Sequence, residues 1–405
     1  MERPAKKINV VRIIARLNIG GPAIQTILLT RYLDANRFNA TLVAGNITRT
    51  EGDMSYYARD NGVSVYSIPE LGREISLFHD VISFLKILTC IRRKQAHIVH
   101  THTAKAGTLG RLAVIAHNSL HRKNRVRLIH TFHGHVFNGY FGKWKTKLFI
   151  LVERFLARRT DRIITISQTL KDELLELGIG TARTIEVIPL GFELAPFLSI
   201  PAPCTDNRPM RVGIIGRLVP IKNHRLFLKA AACFLKKEGV PNTRFFVVGD
   251  GELTDTLVQY AKDLGISNAI TFTGWKQDLA EVYRGLDIVA LTSINEGTPV
   301  SLIEAMASGR PVIATEVGGV VDLLGTNSGS HQNTISVRER GIGIQSQNAD
   351  DFSNGLVLLA NDRDLRKKLA SRARDFAAHT FTRQRLVHDI ELLYEKVRED
   401  AASKS

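Results

Sequence analysis

The chain has 405 residues, 44% of them hydrophobic and 7% aromatic, and a formal net charge of +16. This length fits two domains, and this composition excludes an intrinsically disordered or fibrous protein. No apolar run reaches the roughly 20 residues that a membrane-spanning helix needs, and no signal-peptide core follows the N-terminus, so we expect a soluble, cytoplasmic protein.

The first half of the chain predicts short apolar strands that alternate with helices. The predicted strands are residues 7–17, 40–44, 64–68, 97–101, 127–132 and 162–166. Helical segments separate most of them, notably residues 77–94 and 144–158. This alternation is typical of a doubly wound parallel sheet.

The same alternation restarts after a proline-rich linker at residues 196–209. The second set of predicted strands is 210–215, 244–248, 269–273, 287–291 and 312–315, and the predicted helices are 225–237 and 254–263. A polar loop is expected at residues 328–336, and an amphipathic helix at 384–399 follows a cap at Thr382.

We therefore predict an α/β protein with two facing, Rossmann-like, doubly wound parallel-sheet domains. The N-terminal domain spans residues 1–195, the C-terminal domain spans residues 196–382, and residues 383–405 form a terminal helix. In such folds ligands bind outside the carboxyl ends of the strands, so we expect the functional site in an interdomain cleft.

The positive charge is concentrated in the first half of the chain. Residues 1–195 carry 29 Lys and Arg against 15 Asp and Glu, whereas residues 196–405 carry 26 against 24. Between residues 83 and 160 there are 16 basic residues and one acidic residue, Glu153. One interpretation is an excess of solvated charge. The interpretation we favour is a surface for anionic lipid headgroups or a phosphorylated acceptor, since the aromatic interleaving typical of nucleic-acid platforms is missing.

Two glutamates eight residues apart, Glu296 and Glu304, flank a corner made of Gly297, Thr298 and Pro299. A strand precedes the corner and a short apolar helix follows it, with Pro299 suited to the first helical turn. Helical side chains lean toward the N-terminus, so Glu304 is expected to point back toward Glu296. The free amides of the corner favour an anion. The pattern predicts a pocket for a phosphate and two polyols; the alternative is an exposed capping pair.

Two cations lie on the loop that follows the first strand of the second half. Arg217 and Lys222 are five residues apart, and together they are able to hold a diphosphate from two sides. Such a site accelerates the reaction by neutralising the charge on the departing diphosphate. The alternative interpretation is two surface cations on a loop.

Glycine-containing turns follow several other predicted strands. Gly20 and Gly21 allow the backbone to approach a phosphate or sugar, although the third glycine of a dinucleotide-binding fingerprint is missing. The turn before Trp275 and Lys276 suits backbone contacts to a nucleobase. Each of these segments is equally consistent with a plain turn.

Histidines cluster near two strand ends in the first half. His133 follows an apolar strand and precedes a glycine, which places an imidazole at the expected site. His100 and His102 form a His-x-His pair on one face of a strand, which raises a metal interpretation. No carboxylate or cysteine accompanies them, and the cysteines at 90, 204 and 233 are unpatterned, so we predict no metal site. A buried histidine satisfied by the backbone is the alternative for His100.

Residues 140–149 interleave aromatic side chains with cations. Lys143, Trp144, Lys145 and Lys147 suit a helix that lies in a lipid interface with its cations against the headgroups. The alternative is a partly buried helix with its lysines exposed.

Taken together, these motifs resemble the retaining glycosyltransferases of family 4, which have the two-domain GT-B fold. The resemblance covers nearly the whole chain, and its strongest motif is E-x7-E from Glu296 to Glu304. The other matching positions are Ser293, Gly318, Gly319, Gly216, Arg217, Leu218, Lys222, Gly20, Gly21, His133 and the terminal helix at 384–399. Asn223 stands where glycine is common in that loop.

The resemblance implies a role for each matching residue. Arg217 and Lys222 would hold the donor diphosphate and stabilise it as the leaving group. Glu296 would bind hydroxyls of the transferred sugar, and Glu304 would bind the ribose hydroxyls. His133 would orient the donor sugar or stabilise charge that develops beside the anomeric carbon.

Backbone groups complete the implied donor site. Amides around Gly297, Thr298 and Pro299 would cradle the phosphate and sugar, and the segment around Trp275 and Lys276 would bind the base. No cofactor and no metal are implied, because protein cations replace Mg²⁺ at the diphosphate. The acceptor hydroxyl would attack on the face that the nucleotide leaves, which retains the anomeric configuration.

The resemblance and the basic first half together predict a peripheral enzyme at the inner face of the cytoplasmic membrane. It would transfer sugar from a nucleotide-sugar, with UDP-sugar preferred, to a polyprenyl-diphosphate-linked or other glycan of an extracellular polysaccharide or surface glycolipid, without a nucleic-acid partner. The alternatives are a UDP-sugar epimerase of the same fold, against which the E-x7-E motif counts, and a non-enzymatic module that binds anionic surfaces.

Overall fold

The computed structural model describes residues 7–47, 52–72, 74–121, 123–134, 143–203, 208–332 and 334–402. The chain divides into two compact units, Met1–Phe192 with Arg383–Ser405, and Glu193–Thr382. Within the described residues, no helix combines the length and the apolar character needed to cross a membrane.

The first unit alternates strands with helices, as its sequence predicts. Its strands are β1 (Ile8–Arg16), β2 (Phe38–Gly45), β3 (Val65–Ser67), β4 (Ile98–His102), β5 (Arg127–Phe132), β6 (Arg162–Thr165) and β7 (Ile185–Val187). Its helices up to this point are α1 (Gly21–Tyr32), α2 (Ser55–Asp60), α3 (Leu77–Arg93), α4 (Ala104–Leu120), α5 (Lys143–Ala157) and α6 (Gln168–Glu176).

The strands of the first unit form one parallel sheet in the order β3-β2-β1-β4-β5-β6-β7. The chain winds outward in one direction from β1 to β3 and in the other from β4 to β7. Crossover connections therefore diverge between β1 and β4, which makes their carboxyl ends the switch point where ligands bind in this class of sheet. Buried apolar side chains cover both faces, as parallel sheets require.

The second unit repeats this alternation. Its strands are β8 (Met210–Ile215), β9 (Thr243–Val248), β10 (Ile270–Gly274), β11 (Ile288–Leu291), β12 (Val312–Thr315), β13 (Asn327–Gln332), β14 (Ile335–Arg338) and β15 (Ile342–Ile344). Its helices are α7 (Ala195–Leu198), α8 (His224–Leu235), α9 (Thr254–Asp263), α10 (Leu279–Arg284), α11 (Val300–Ala307), α12 (Val320–Leu324), α13 (Ala349–Asn361) and α14 (Arg363–Thr380), with a 3₁₀ turn at Pro220–Lys222.

The sheet of the second unit has the order β10-β9-β8-β11-β12-β15-β14-β13, so its switch point lies between β8 and β11. The doubly wound α/β prediction is confirmed for both units, with two corrections. The polar loop expected at residues 328–336 is wrong, since β13 and β14 pair antiparallel there, and β14 also pairs antiparallel with β15. The predicted linker begins with the short helix α7, and residues 204–207 of it lie outside the described residues.

The last helix, α15 (Arg383–Ala402), packs within the first unit. Its buried side chains Leu386, Ile390, Leu393 and Tyr394 join the core around Val10. Burying a leucine or isoleucine side chain contributes about 1.5–3 kcal/mol, so this apolar face accounts for the attachment of α15 to the first sheet.

Candidate functional site

The switch point of the second unit is formed by the loops that leave β8 and β11, two strands that pair directly. The two loops are hydrogen-bonded to each other. Thr292 Oγ1 lies 3.1 Å from the carbonyl oxygen of Lys222 and 3.0 Å from that of Asn223. The backbone N–H of Ile294 donates to the carbonyl oxygen of Ile221 at 2.9 Å. Residues far apart in sequence are thereby fixed on one surface.

An ion pair occupies this surface. Lys222 Nζ lies 2.5 Å from Oε1 of Glu296, and the hydroxyl of Ser293 donates to the same oxygen at 2.6 Å. The side chains of Lys222 and Glu296 are 21% and 11% exposed. The sequence grouped Lys222 with Arg217, whereas the structure bonds Lys222 to Glu296.

Arg217 differs from Lys222 in its surroundings. It is exposed on the β8 loop, and its guanidinium has no hydrogen bond or ion pair within the described part of the chain. The loop then turns at Asn223, which has φ 47° and ψ 48°. Glycine and asparagine are the residues that adopt this left-handed conformation most readily, so asparagine meets the backbone requirement of this turn.

The corner after Glu296 packs closely on the loop that follows β12. The N–H of Gly319 donates to the carbonyl oxygen of Glu296 at 3.3 Å, and a Cβ at Gly319 would lie 1.9 Å from the carbonyl oxygen of Gly297. Thr298 is buried here. Pro299 precedes helix α11 and does not belong to its first turn, which corrects the sequence expectation.

Glu304 has a partner that the sequence analysis did not identify. Its Oε2 lies 2.9 Å from the hydroxyl of Tyr283, which also lies 2.9 Å from the carbonyl oxygen of Ser301. Burial raises the pKa of Glu304 to about 7 and raises the pKa of Tyr283 well above its ordinary value. Glu304 and Glu296 are therefore bonded to different side chains, and near neutral pH Glu304 is on the border between its acid and its carboxylate.

Trp275 and Lys276 follow β10, two strands from β8 in the sheet. Both are exposed, and Trp275 has 51% of its surface accessible. The neighbouring turn after β9 is tight, because a Cβ on Gly249 would lie 1.9 Å from the carbonyl oxygen of Gly216. The indole of Trp275 is thus open to contact at this edge of the sheet.

The switch point of the first unit begins with the glycines after β1. Gly20 has φ 154°, a value that side-chain-bearing residues rarely adopt, and Gly21 is the first residue of α1. A Cβ on Gly20 would touch only Pro22 Cδ, at 3.7 Å. Backbone conformation, not space, is therefore the reason for glycine at position 20.

His133 lies at the carboxyl end of β5, next to the end of β4. Its Nε2 is 2.9 Å from Nδ1 of His102, and burial lowers the pKa of His133 to about 3, so its imidazole is neutral. His100 is bonded to the side chains of Thr131 and Tyr394, not to the backbone. No group of three or more His, Cys, Asp or Glu placed to hold a metal occurs in the described ranges.

Helix α5 exposes an apolar stripe. Trp144, Leu148, Leu151 and Phe155 are 88%, 64%, 59% and 46% exposed, at a spacing that places them on one helical face. Lys147 is also exposed, whereas the side chains of Lys143 and Lys145 and residues 140–142 lie outside the described residues. The helix is also partly buried, at Glu153 and Leu156, so the alternative of a partly buried helix with its lysines exposed stays open.

Comparison with known proteins agrees with this geometry. A family described as "Glycosyl transferases group 1" matches residues 205–376, and one described as "Glycosyl transferase 4-like domain" matches residues 20–191. The UDP-Gal:alpha-D-GlcNAc-diphosphoundecaprenol alpha-1,3-galactosyltransferase of Escherichia coli is 28% identical over 335 residues, which cover 79% of this chain and 80% of that protein. The putative glycosyltransferase EpsD of Bacillus subtilis (strain 168) is 27% identical, with 73% and 76% covered.

A solved structure, Anabaena Alr3699/HepE in complex with UDP, superimposes with a TM-score of 0.74 at 20% identity, over 96% of this chain and 100% of that one. The chain belongs to the GT4-type glycosyltransferases. It is a transferase of glycan biosynthesis with the GT-B fold, which confirms the family expected from the resemblance and the two-domain α/β fold class.

Within this glycosyltransferase, the structure brings together some of the residues that its sequence singled out. Lys222 and Glu296 meet directly, and Gly297 lies against Gly319. The sequence analysis did not identify His102 as the partner of His133, or Tyr283 as the partner of Glu304. Each pair is brought together only by the packing of the sheet and its flanking helices. The His-x-His spacing was the one signal that pointed to His102.

Proposed function

We propose that this glycosyltransferase transfers a sugar from a UDP-sugar to a hydroxyl of a glycan carried on a polyprenyl diphosphate. The transfer retains the anomeric configuration and uses no metal ion. The name of the Escherichia coli relative, which includes a UDP-sugar and a diphosphoundecaprenol acceptor, supports both substrates. Solved structures of the Anabaena neighbour in complex with UDP and with UDP-glucose support the donor.

The observation that carries the proposal is the Lys222–Glu296 ion pair at the switch point of the second unit. A diphosphate that arrives there competes with Glu296 for the ammonium group of Lys222, and Arg217 supplies a second cation from the exposed loop. Release of Glu296 from Lys222 frees its carboxylate to accept hydrogen bonds from hydroxyls of the transferred sugar.

The remaining donor contacts follow from the same surface. Backbone amides at Gly297 and Thr298, beside Pro299, bind a phosphate oxygen, and the ionised Glu304 accepts hydrogen bonds from the two ribose hydroxyls. Trp275 and Lys276 contact the base. In the first unit, the backbone at Gly20 and Gly21 approaches the donor, and His133 acts on the transferred sugar.

The reaction exchanges one bond for another at the anomeric carbon. The bond from this carbon to the phosphate oxygen breaks, and UDP leaves with the electron pair. The acceptor oxygen bonds to the same carbon on the same face, and its proton goes to the departing phosphate oxygen. Arg217 and Lys222 stabilise the charge that develops on UDP, which is worth most because it grows in the transition state.

The acceptor side is assigned to a membrane surface at the inner face of the cytoplasmic membrane. The stripe of α5 exposes Trp144, and the cations Lys143, Lys145 and Lys147 surround it in sequence. Helix α3 exposes Leu77, Phe78, Val81 and Leu85, and both helices pack against α4. Apolar side chains among cations favour a bilayer that contains anionic lipids, in which a polyprenyl-linked acceptor is dissolved.

The test is a transfer assay in the presence of a chelator. UDP-, GDP- and ADP-sugars are offered with a short-chain lipid diphosphate sugar, and nuclear magnetic resonance reads the anomeric configuration of the product. We expect a UDP-sugar to be used and an α-linked donor to give an α-linked product. Arg217→Ala is expected to lose activity, whereas Lys229→Ala, which removes an exposed cation on α8, is expected to keep it.

Other products would replace the proposal. An inverted linkage, or activity that appears only with added metal, would contradict the mechanism. An epimerised UDP-sugar without transfer would favour the epimerase. Salt-sensitive binding to anionic vesicles without any nucleotide-sugar binding would favour the non-enzymatic module.

A further inference from the structure

A column of imidazole rings runs through the first unit and ends at His133. The ring centroids of His100 and His102 are 4.2 Å apart, and those of His102 and His133 are 5.2 Å apart. At the other end, His100 Nδ1 lies 2.8 Å from the hydroxyl of Tyr394, to which Arg12 also donates at 3.0 Å. The column therefore connects α15 to the carboxyl edge of the sheet.

The rings of this column are neutral. Burial lowers the pKa of His100 and His102 well below the ordinary value, and the positive charge of Arg12 lowers both further. Arg12 is wholly buried and bonds to Thr30 and Tyr394, with no carboxylate partner within the described residues. A second buried positive charge is thus disfavoured, and each imidazole carries one proton.

Two neutral rings joined by one N···N hydrogen bond allow two arrangements. If Nδ1 of His102 donates, the proton of His133 is on Nδ1. If Nε2 of His133 donates, the proton of His102 is on Nε2. Both of these outer nitrogens are buried and have no hydrogen-bond partner among the described residues. Each arrangement therefore has one unpaired N–H, and the two differ in which ring carries it.

The position of the unpaired N–H decides between them. His102 is 0% exposed and enclosed by the sheet, whereas His133 is a partly exposed residue at the carboxyl edge of the sheet, although its Nδ1 is itself buried. An unpaired donor is most costly where neither water nor ligand reaches it. The arrangement with the unpaired N–H on His133 places it on the ring nearer the carboxyl edge of the sheet, where ligands bind in this class of fold, and not on the ring enclosed by the sheet.

We infer that His102 is a positioning residue whose Nδ1–H donates to Nε2 of His133, which keeps the proton of His133 on Nδ1 and presents that N–H to an oxygen of the donor sugar. The second half of this inference rests on the proposed transfer function. The first half concerns the ligand-free protein alone.

The backbone beside His102 supports a fixed position. The next residue, Thr103, has φ 64° and ψ 161°. A β-branched residue with positive φ is strained, and such strain persists only where the surrounding structure holds the segment in place. His102 is thus held between the end of β4 and the start of α4.

The direct test is the tautomer of His133 in the ligand-free protein. Ring-¹⁵N histidine labelling and long-range ¹H–¹⁵N spectra distinguish Nδ1–H from Nε2–H, and the signals that disappear in His133→Gln assign the residue among the 13 histidines. We expect His133 to carry its proton on Nδ1. A proton on Nε2 would overturn the inference.

Three substitutions of His102 separate the hydrogen bond from packing. His102→Phe keeps a ring and removes the donor, His102→Asn keeps an amide N–H near the position of Nδ1, and His102→Gln moves the amide toward that of Nε2. We expect the tautomer of His133 to change in the Phe and Gln variants and to persist in the Asn variant. The matched control is His117→Phe, which removes another buried imidazole from α4.

The kinetic test measures whether substitution of His102 changes kcat, KM or both. We expect His102→Phe to lower kcat by about tenfold with little change in KM for the UDP-sugar, and His102→Asn to restore most of the loss. An unchanged tautomer in His102→Phe would contradict the positioning role while leaving the transfer function standing. The expected tautomer in a wild type that transfers no sugar would support the positioning of His133 and contradict the transfer function instead. If His102→Phe fails to fold, the wild-type tautomer and the Gln variant decide.

Discussion

The two switch points have the same strand order and opposite chemistry. In the second unit, the loops after β8 and β11 carry an exposed arginine and a lysine–glutamate ion pair. In the first unit, the ends of β4 and β5 carry buried, neutral imidazoles, with the pKa of His133 lowered to about 3. The topology selects where a ligand binds, and the residues at the strand ends select how it is bound.

This difference predicts different sensitivities. A site built on charges responds to charge-removing substitutions, salt and pH, because Coulomb interactions depend on all three. A site built on neutral rings responds to the geometry of its hydrogen bonds.

The largest effect is expected for Lys222→Ala. It removes a cation from the departing diphosphate and leaves the carboxylate of Glu296, 11% exposed, without its ionic partner. We expect kcat/KM for sugar transfer to fall by about 10²–10³, together with a lower melting temperature.

The double variant Lys222→Ala/Glu296→Gln separates these two effects. It is expected to recover the melting temperature but not the activity, since only the unpaired charge has been removed. Activity close to wild type in Lys222→Ala would show that the ion pair is structural.

A smaller effect is expected for Arg217→Ala. Because Arg217 is exposed and unpaired within the described residues, its loss is expected to leave the melting temperature unchanged. Binding of a UDP-sugar, measured by metal-free calorimetry, is expected to weaken about 10- to 100-fold, and the difference from wild type to shrink as salt is raised. Arg217→Lys, which keeps the charge, is expected to lie between the two. A difference independent of salt would assign Arg217 a role other than charge.

The fold was largely predictable because local patterns determine it. β5, β8 and α9 begin and end at the predicted residues, since apolar runs there are bounded by glycine, proline or polar turns. The pair β13–β14 was missed because β13 has no apolar side chain that would mark it as a strand, and because β14 is held in the sheet by its antiparallel pairing with β15. Tertiary pairing overrides propensity in such segments.

The candidate site was predictable as a set of residues and not as a set of contacts. The cations and glutamates were recognisable from motifs, but Lys222 and Glu296 are 74 residues apart, and strand order alone brings β8 beside β11. The same holds for His102 and His133, which are 31 residues apart. Sequence spacing carries no information on such partners, so the hydrogen bonds that set charge and tautomer had to come from the structure.

The charged site of the second unit is also expected to make donor binding depend on pH, through Glu304. Its pKa is raised from 4.5 to about 7 by burial, and ribose hydroxyls donate to a carboxylate but compete with the proton of the acid. Below pH 7 we expect UDP-sugar affinity to fall roughly tenfold per pH unit, and above it to be constant. A UDP-sugar has no phosphate monoester that titrates in this range.

The stability change has the opposite sign. Because the folded pKa of Glu304 lies above the unfolded value, its contribution to folding is fully present below pH 4.5 and is lost as the pH rises through about 7. Glu304→Gln is expected to flatten both the calorimetric and the melting profile over this range. An affinity slope that survives in Glu304→Gln would assign the titration to another group.

The smallest effect is expected for substitutions on α5, which exposes apolar side chains and a lysine on the same surface. Lys147→Ala is expected to weaken binding to vesicles that contain anionic lipids by about fivefold, since one lysine near such a surface contributes about 1 kcal/mol.

The chain has two tryptophans, so a Trp275→Phe background leaves Trp144 as the reporter, and its emission is expected to shift to shorter wavelength when vesicles bind. Arg183→Ala, an exposed cation outside the stripe, is the matched control. Equal losses for the two alanine variants would mean that net charge alone attracts the membrane, whereas a loss confined to Lys147 together with the shift of Trp144 would place the lipid against α5.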